Sequence, residues 1–212
     1  MDRSLREKIL KCSREVILDE DPAHDFAHAL RVTALAERIA NDEGADLDVV
    51  IPAALFHDAV NPPKDDPRAK HASDDSAELA ERVLLREVDE FPKDKLVLVK
   101  QCIRECSFNK GIIPDLLESR VLQDADRLEA TGAIAIMRTF ASTGRMSRPF
   151  YNANDSFCEH REPEPKHYAV DLFYVRLLKI EKLAHTRIAK ELARQRTEFL
   201  LAFLTQLAQE IS

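Results

Sequence analysis

The dipeptide His57-Asp58 closes a run of apolar residues and is followed, after Ala59 and Val60, by Asn61-Pro62-Pro63. An imidazole and a carboxylate at the edge of such a run are costly unless something pairs with them. Neutral imidazole and ionised carboxylate are both ligands for a divalent cation. Neighbours on a helix point about 100° apart, so these two can share an ion only if it lies between their directions, with further ligands from elsewhere. Two other stretches offer them. Upstream, His24 and His28 stand at i and i+4, which places them on one face if a helix opens there. Downstream, Asp124 and Asp126 stand on a helical stretch from Val121 to Ala130 whose apolar positions include Val121, Leu122, Ala125 and Leu128. Each group alone has an ordinary reading: a histidine on an apolar face is commonly a hydrogen-bonded core residue, and an aspartate at a helix start is commonly a cap. The series His, His-Asp, Asp, each in apolar surroundings, is hard to obtain by accident.

The elements that must carry these groups read as helices. From Leu47 to Val60 nearly every residue is apolar, so a helix there is wrapped on all sides and ends in the His-Asp pair, with Asp46 or Asp48 as its cap. Before it, apolar positions at Leu5, Ile9, Leu10, Val16 and Ile17 predict an amphipathic helix over about 4–18. A second helix over about 26–41 turns Leu30, Thr33, Ala36, Ile39 and Ala40 inward, and Gly44 closes it. Residues 61–70 form a loop with three prolines, in which Lys64, Arg68 and Lys70 stand close behind two candidate ligands. Further helices are expected at about 71–88, 93–108, 115–127 and 129–142. A long irregular segment, about 142–164, follows; connections of that length are often lids or binding loops. Between Ala130 and Asn154 stand Arg138, Arg145 and Arg148 with no acid, a positive island in an acidic chain. Two amphipathic helices, about 168–184 and 186–209, close the chain and leave room for a homodimer.

With 212 residues, 45% of them hydrophobic, the sequence predicts one compact all-α domain. The four glycines stand far apart, which excludes a phosphate-binding glycine loop and a dinucleotide fingerprint. A net charge of −7 argues against a nucleic-acid surface. Four cysteines without paired spacing read as reduced, mostly buried thiols. No apolar run is long enough to span a bilayer and the first residues are too charged for a signal peptide, so a cytoplasmic protein without a membrane partner is expected.

As a set, these residues resemble the HD-domain metal-dependent phosphohydrolases, whose ligands come in the order His…His-Asp…Asp. His24-Asp25-x-x-His28-x-x-Arg31-Val32, Leu55-Phe56-His57-Asp58 and Gln123-Asp124-Ala125-Asp126-Arg127-Leu128-Glu129-Ala130 look like the YedJ-like branch. So do Arg148-Pro149-x-Tyr151 and the closing segment from Leu177 to Leu200. The resemblance runs from about His24 to the C-terminus. It implies a helical bundle of the HD type across 1–212, with a core over about 22–142 and a loop and helices over about 143–212. It implies metal ligands His28, His57, Asp58 and Asp126, catalytic roles for Asp58 and Lys64, and substrate contacts from His24, Arg148 and Tyr151. One departure stands out. Where the branch commonly has a histidine before a serine, this chain has Cys106-Ser107, which weakens the case for a second metal.

Two imidazoles and two carboxylates suit one divalent ion of borderline to hard character: manganese, iron, nickel, cobalt or magnesium. The expected reaction is hydrolysis of a small phosphorylated metabolite, a nucleotide above all, at a phosphomonoester or pyrophosphate link by metal-activated water. Asp58, or a carboxylate beside it such as Asp124, would orient that water. The alternative is a metal-binding HD module with a regulatory or ligand-sensing role, which Cys106 favours.

Overall fold

The computed structural model describes residues 1–18, 24–62, 66–107 and 110–211, and no strand occurs among them. The chain packs as two compact units, Met1–Asp126 and Arg127–Ser212. The first holds α1 (Arg3–Val16), α2 (Phe26–Glu43), α3 (Leu47–Phe56), α4 (Ala72–Glu87), α5 (Leu96–Cys106) and most of α6 (Leu117–Leu128). The second holds α7 (Gly132–Arg145), α8 (Asp171–Val175), α9 (Ile180–Leu183) and α10 (Arg187–Ile211).

In the first unit α3 is the axis, packed by α1, α2, α4 and α5. Every residue from Val49 to Phe56 is buried, as an apolar run without a polar stripe requires. Burial of each large side chain contributes about 1.5–3 kcal/mol, enough to tolerate Pro52, which removes the helical donor to the Asp48 carbonyl. The start is capped by Asp46, whose carboxylate accepts from the Asp48 N–H at 2.9 Å. α2 ends at Gly44 in the left-handed conformation, φ 77°, a backbone state that costs glycine little. Its buried stripe is His28, Ala29, Val32, Thr33, Ala36, Ile39 and Ala40. Leu30 was expected inside but faces out, because it lies about 200° around the helix from His28.

In the second unit Ala135, Val170, Phe173, Leu177, Leu200 and Leu204 form the core, with Phe173 stacked on Phe203 at 5.7 Å between centroids. The single helix expected over 168–184 is broken. Arg176 leaves the helical region (φ −135°, ψ −61°), and a tight turn over Leu177–Lys179 separates α8 from α9. Helices of four or five residues are marginal on their own, so burial of Phe173, Leu177 and Ile180 decides the path of the backbone. α7 runs three residues beyond its expected end, to Arg145. The irregular segment after it is tied back by Ala169 N–H to Pro149 O and Val170 N–H to Phe150 O. Among the described residues no helix is long and apolar enough to cross a membrane.

Candidate metal centre

α3 stops at Phe56, and His57 and Asp58 stand just past it rather than within it. The difference from the expectation has a geometric reason. His57, the cap residue, keeps helical angles (φ −58°, ψ −34°) and the chain turns after it, leaving His57 Nε2 and Asp58 Oδ2 3.4 Å apart. The turn is pinned from α4, where the buried Ser76 hydroxyl accepts from the Val60 N–H at 3.0 Å. The His57 Nδ1 lies 2.8 Å from the Ala54 carbonyl. A carbonyl only accepts, so Nδ1 carries a proton and Nε2 is the ring nitrogen turned toward the other donors, the orientation a ligating imidazole takes.

His28 meets it from the first turn of α2, Nε2 to Nε2 at 3.2 Å. Asp58 Oδ2 is 3.5 Å from His28 Nε2. Asp126, near the end of α6, brings Oδ1 to 3.6 Å from His28 Nε2 and 3.8 Å from His57 Nε2. Donors about 2.1 Å from a shared ion sit about 3.0 Å apart in an octahedron and about 3.4 Å apart in a tetrahedron. His28, His57 and Asp58, at 3.2–3.5 Å from one another, therefore suit a single shared ion, and Asp126 stands beside the two imidazoles at 3.6 and 3.8 Å. Both imidazoles are buried, while the side chains of Asp58 and Asp126 are 34% and 22% exposed. The open side is thus the carboxylate side. Burial pushes the Asp58 carboxyl up, but the imidazoles of His57, His28 and His24 outweigh it and hold the group well below the usual carboxylate range.

The remaining predicted site residues fall in different places. His24 was expected on the same helical face as His28. Instead α2 begins at Phe26 with Asp25 as its cap, and His24 precedes the helix with its ring edge-on to His28 at 5.7 Å. The sequence extends an apolar 3.6-residue pattern only from Phe26 onward, so the helix has no reason to start earlier. Lys64 lies outside the described residues. Arg68 forms a fork with Asp66, Nη2 to Oδ2 at 2.6 Å. Asp124 is buried in α6. Arg148 and Tyr151 belong to the second unit. Arg148 donates to Thr143 Oγ1 at 2.6 Å and to the Pro165 carbonyl, and Tyr151 packs against the aromatic core. Cys106 ends α5 as a buried thiol.

Two supporting residues escape a search for ligand spacing. Ser76 is one, and Gln123 is the other: its amide donates to the carbonyls of Glu105 (2.5 Å) and Ile112 (2.9 Å), fixing the segment beside α6. Neither a lone serine in a helix nor a glutamine beside two aspartates carries a signal that separates it from a surface residue.

The model of the HD domain family matches residues 25–131, the segment that carries all four donors. YpgQ of Bacillus subtilis strain 168, described as an uncharacterized protein, is 31% identical over 209 residues, covering 97% of this chain and 93% of its own. The crystal structure of YpgQ in complex with ADP matches with a TM-score of 0.73 at 29% identity, covering 97% of each chain. An HD-superfamily hydrolase of Bacillus thuringiensis matches with a TM-score of 0.72 at 28% identity over 97% of each chain. A Lactobacillus plantarum protein matches with a TM-score of 0.76 at 27% identity, over 99% of this chain and 98% of its own. By its four converging donors and by a family match that spans them, this chain belongs to the HD domain family.

Proposed function

We propose that this protein is a metal-dependent phosphohydrolase acting on a small phosphorylated metabolite, with a nucleotide as the first choice and a phosphomonoester or pyrophosphate link as the bond. The observation that carries the reading is the convergence of His28, His57 and Asp58 within 4.8 Å of one another, with Asp126, from a third part of the chain, beside the two imidazoles. The ADP bound by YpgQ supports a nucleotide.

His28 and His57 would hold one divalent ion from the buried side and the two carboxylates from the open side. Manganese, iron, nickel, cobalt and magnesium all suit two imidazoles with two carboxylates. Such an ion, when bound, supplies Lewis-acid polarisation of a phosphoryl oxygen and a water of lowered pKa. Asp58 has a second carboxylate oxygen with which to orient that water and take its proton. His24, edge-on to His28 at the mouth of the donor set, is assigned to the substrate. Lys64 is assigned to the charge that develops on the phosphoryl oxygens. Arg148 and Tyr151 are assigned to substrate by the resemblance alone.

Purified protein supplied with Mn²⁺ is expected to release phosphate or pyrophosphate from at least one member of a nucleotide panel, and His57→Ala to abolish that release. Bound Mn²⁺ with no turnover on any member would overturn the enzyme reading in favour of a ligand-sensing HD module.

A further inference from the structure

The chain contains two His-Asp dipeptides, His24-Asp25 and His57-Asp58, and the fold uses them differently. The second stands past the end of α3, where both side chains converge on the metal centre. The first stands before the start of α2. There the carboxylate of Asp25 turns back on the helix and accepts from the backbone N–H of His28 at 2.8 Å. The Asp25 carbonyl accepts from the next amide, that of Ala29, at 3.2 Å.

His28 occupies the third position of α2. Amides in the first turn have no partner within their own helix, so a ligand placed there would share in any fraying of the end. His57 has its ring fixed by the Ala54 carbonyl, and Asp126 lies in the last turn of α6, where backbone N–H groups bond back into the helix. For His28 the restraint on the backbone comes from Asp25. The ring of His24, on the other side of the cap, packs edge-on against the His28 ring.

We propose that Asp25 is the positioning residue of the metal centre: its capping hydrogen bond fixes the backbone of His28 and so pre-sets the Nε2 direction toward His57, Asp58 and Asp126. The role needs an acceptor oxygen at the cap and not a negative charge. Asparagine and serine cap as well as aspartate, whereas alanine does not. The inference rests on the metal-centre reading given above.

The test measures Mn²⁺ affinity of the full-length protein, stripped with chelator and titrated with Mn²⁺, together with amide hydrogen exchange over residues 26–29 in the stripped state. Supporting groups of this kind are worth about 10- to 100-fold in metal affinity. Asp25→Ala is expected to weaken Mn²⁺ binding by about tenfold and to speed exchange at the His28 amide. Asp25→Asn and Asp25→Ser are expected to restore both to near the wild-type values. Asp2 caps α1, accepting from Ser4 N–H at 2.9 Å, and α1 carries no ligand. Asp2→Ala therefore controls for loss of a cap as such and is expected to leave Mn²⁺ affinity unchanged. Unchanged affinity in Asp25→Ala would overturn the proposal, and so would failure of both Asp25→Asn and Asp25→Ser to restore it, since that would assign the role to charge. A wild-type chain that binds no Mn²⁺ would overturn the metal centre itself and this inference with it. The exchange measurement, made without metal, would still show whether the cap holds the backbone.

Discussion

In the second unit the carboxylate of Asp171, fully buried, meets a guanidinium: Arg161 grips it with both terminal nitrogens, Nη2 to Oδ1 at 2.8 Å. The Glu164 N–H adds a third donor at 2.6 Å, and the Cys158 thiol a fourth. In the first unit His28, His57, Asp58 and Asp126 also gather ionisable groups, but these are imidazoles and carboxylates, the side-chain types that ligate a cation. One region is complete as an acid with its donors. The other has the composition of a candidate ligand set, with His28, His57 and Asp58 within 4.8 Å of one another and Asp126 beside them. Buried polar groups need partners, and the kinds of group gathered separate a structural ion pair from a candidate metal centre. Burial and charge alone would rank the two regions alike.

The comparison can be pressed first at Asp171. Removing one member of a buried pair strands the other, so Asp171→Ala is expected to lower the unfolding free energy by about 3–5 kcal/mol in urea titrations, with or without added metal. An equal loss that appeared only with metal present would merge the two regions. The pair also fixes a direction with pH. Burial raises the Asp171 carboxyl, but Arg161 and the other donors outweigh it and hold the group below its ordinary value. A depressed folded pKa contributes stability that is present above the unfolded value, about 3.9, and is lost as pH falls through the folded one. The acid limb of the stability curve below about pH 4 is therefore expected to flatten in Asp171→Asn.

A smaller effect sharpens the same contrast. Cys102 handles burial by staying neutral: desolvation pushes its thiol up to about 12, against about 8.5 for a free cysteine. With the folded value raised, its contribution is complete below the unfolded pKa and is lost as pH rises toward the folded one. Stability is expected to fall by about 2 kcal/mol between pH 8 and pH 10 on this account. Cys102→Ala, followed by urea unfolding at several alkaline pH values, should remove that slope. An unchanged slope would assign it to other groups.

Much of the first unit was legible because it obeys periodic rules. The apolar run gave α3 and its burial, the glycine at 44 gave the end of α2, and Asp46 was one of two caps foreseen. The His-Asp dipeptide stood out for the same reason, since it broke an apolar pattern. What escaped depends on contacts that no local pattern encodes. The turn of the chain after His57 is held by the Ser76 hydroxyl on the Val60 N–H, a contact from α4 that no local pattern marks. Arg161 and Asp171 lie ten residues apart in and beside an irregular segment, where neither spacing nor hydropathy marks a pair. The division of the chain after Asp126 falls inside α6, with no proline, glycine or polar linker to signal it. Asp25 was visible as part of a motif, but its hydrogen bond to the amide of His28 was not.

The central claim is that the four bases of the first unit hold one divalent ion. Calorimetric titration of chelator-stripped protein with Mn²⁺, run beside His28→Ala and Asp126→Ala, tests it most directly. The account predicts one site per chain in the wild type, weakened by at least about tenfold in each variant. Stoichiometry and affinity unchanged by both substitutions, or no binding by the wild-type chain, would contradict it.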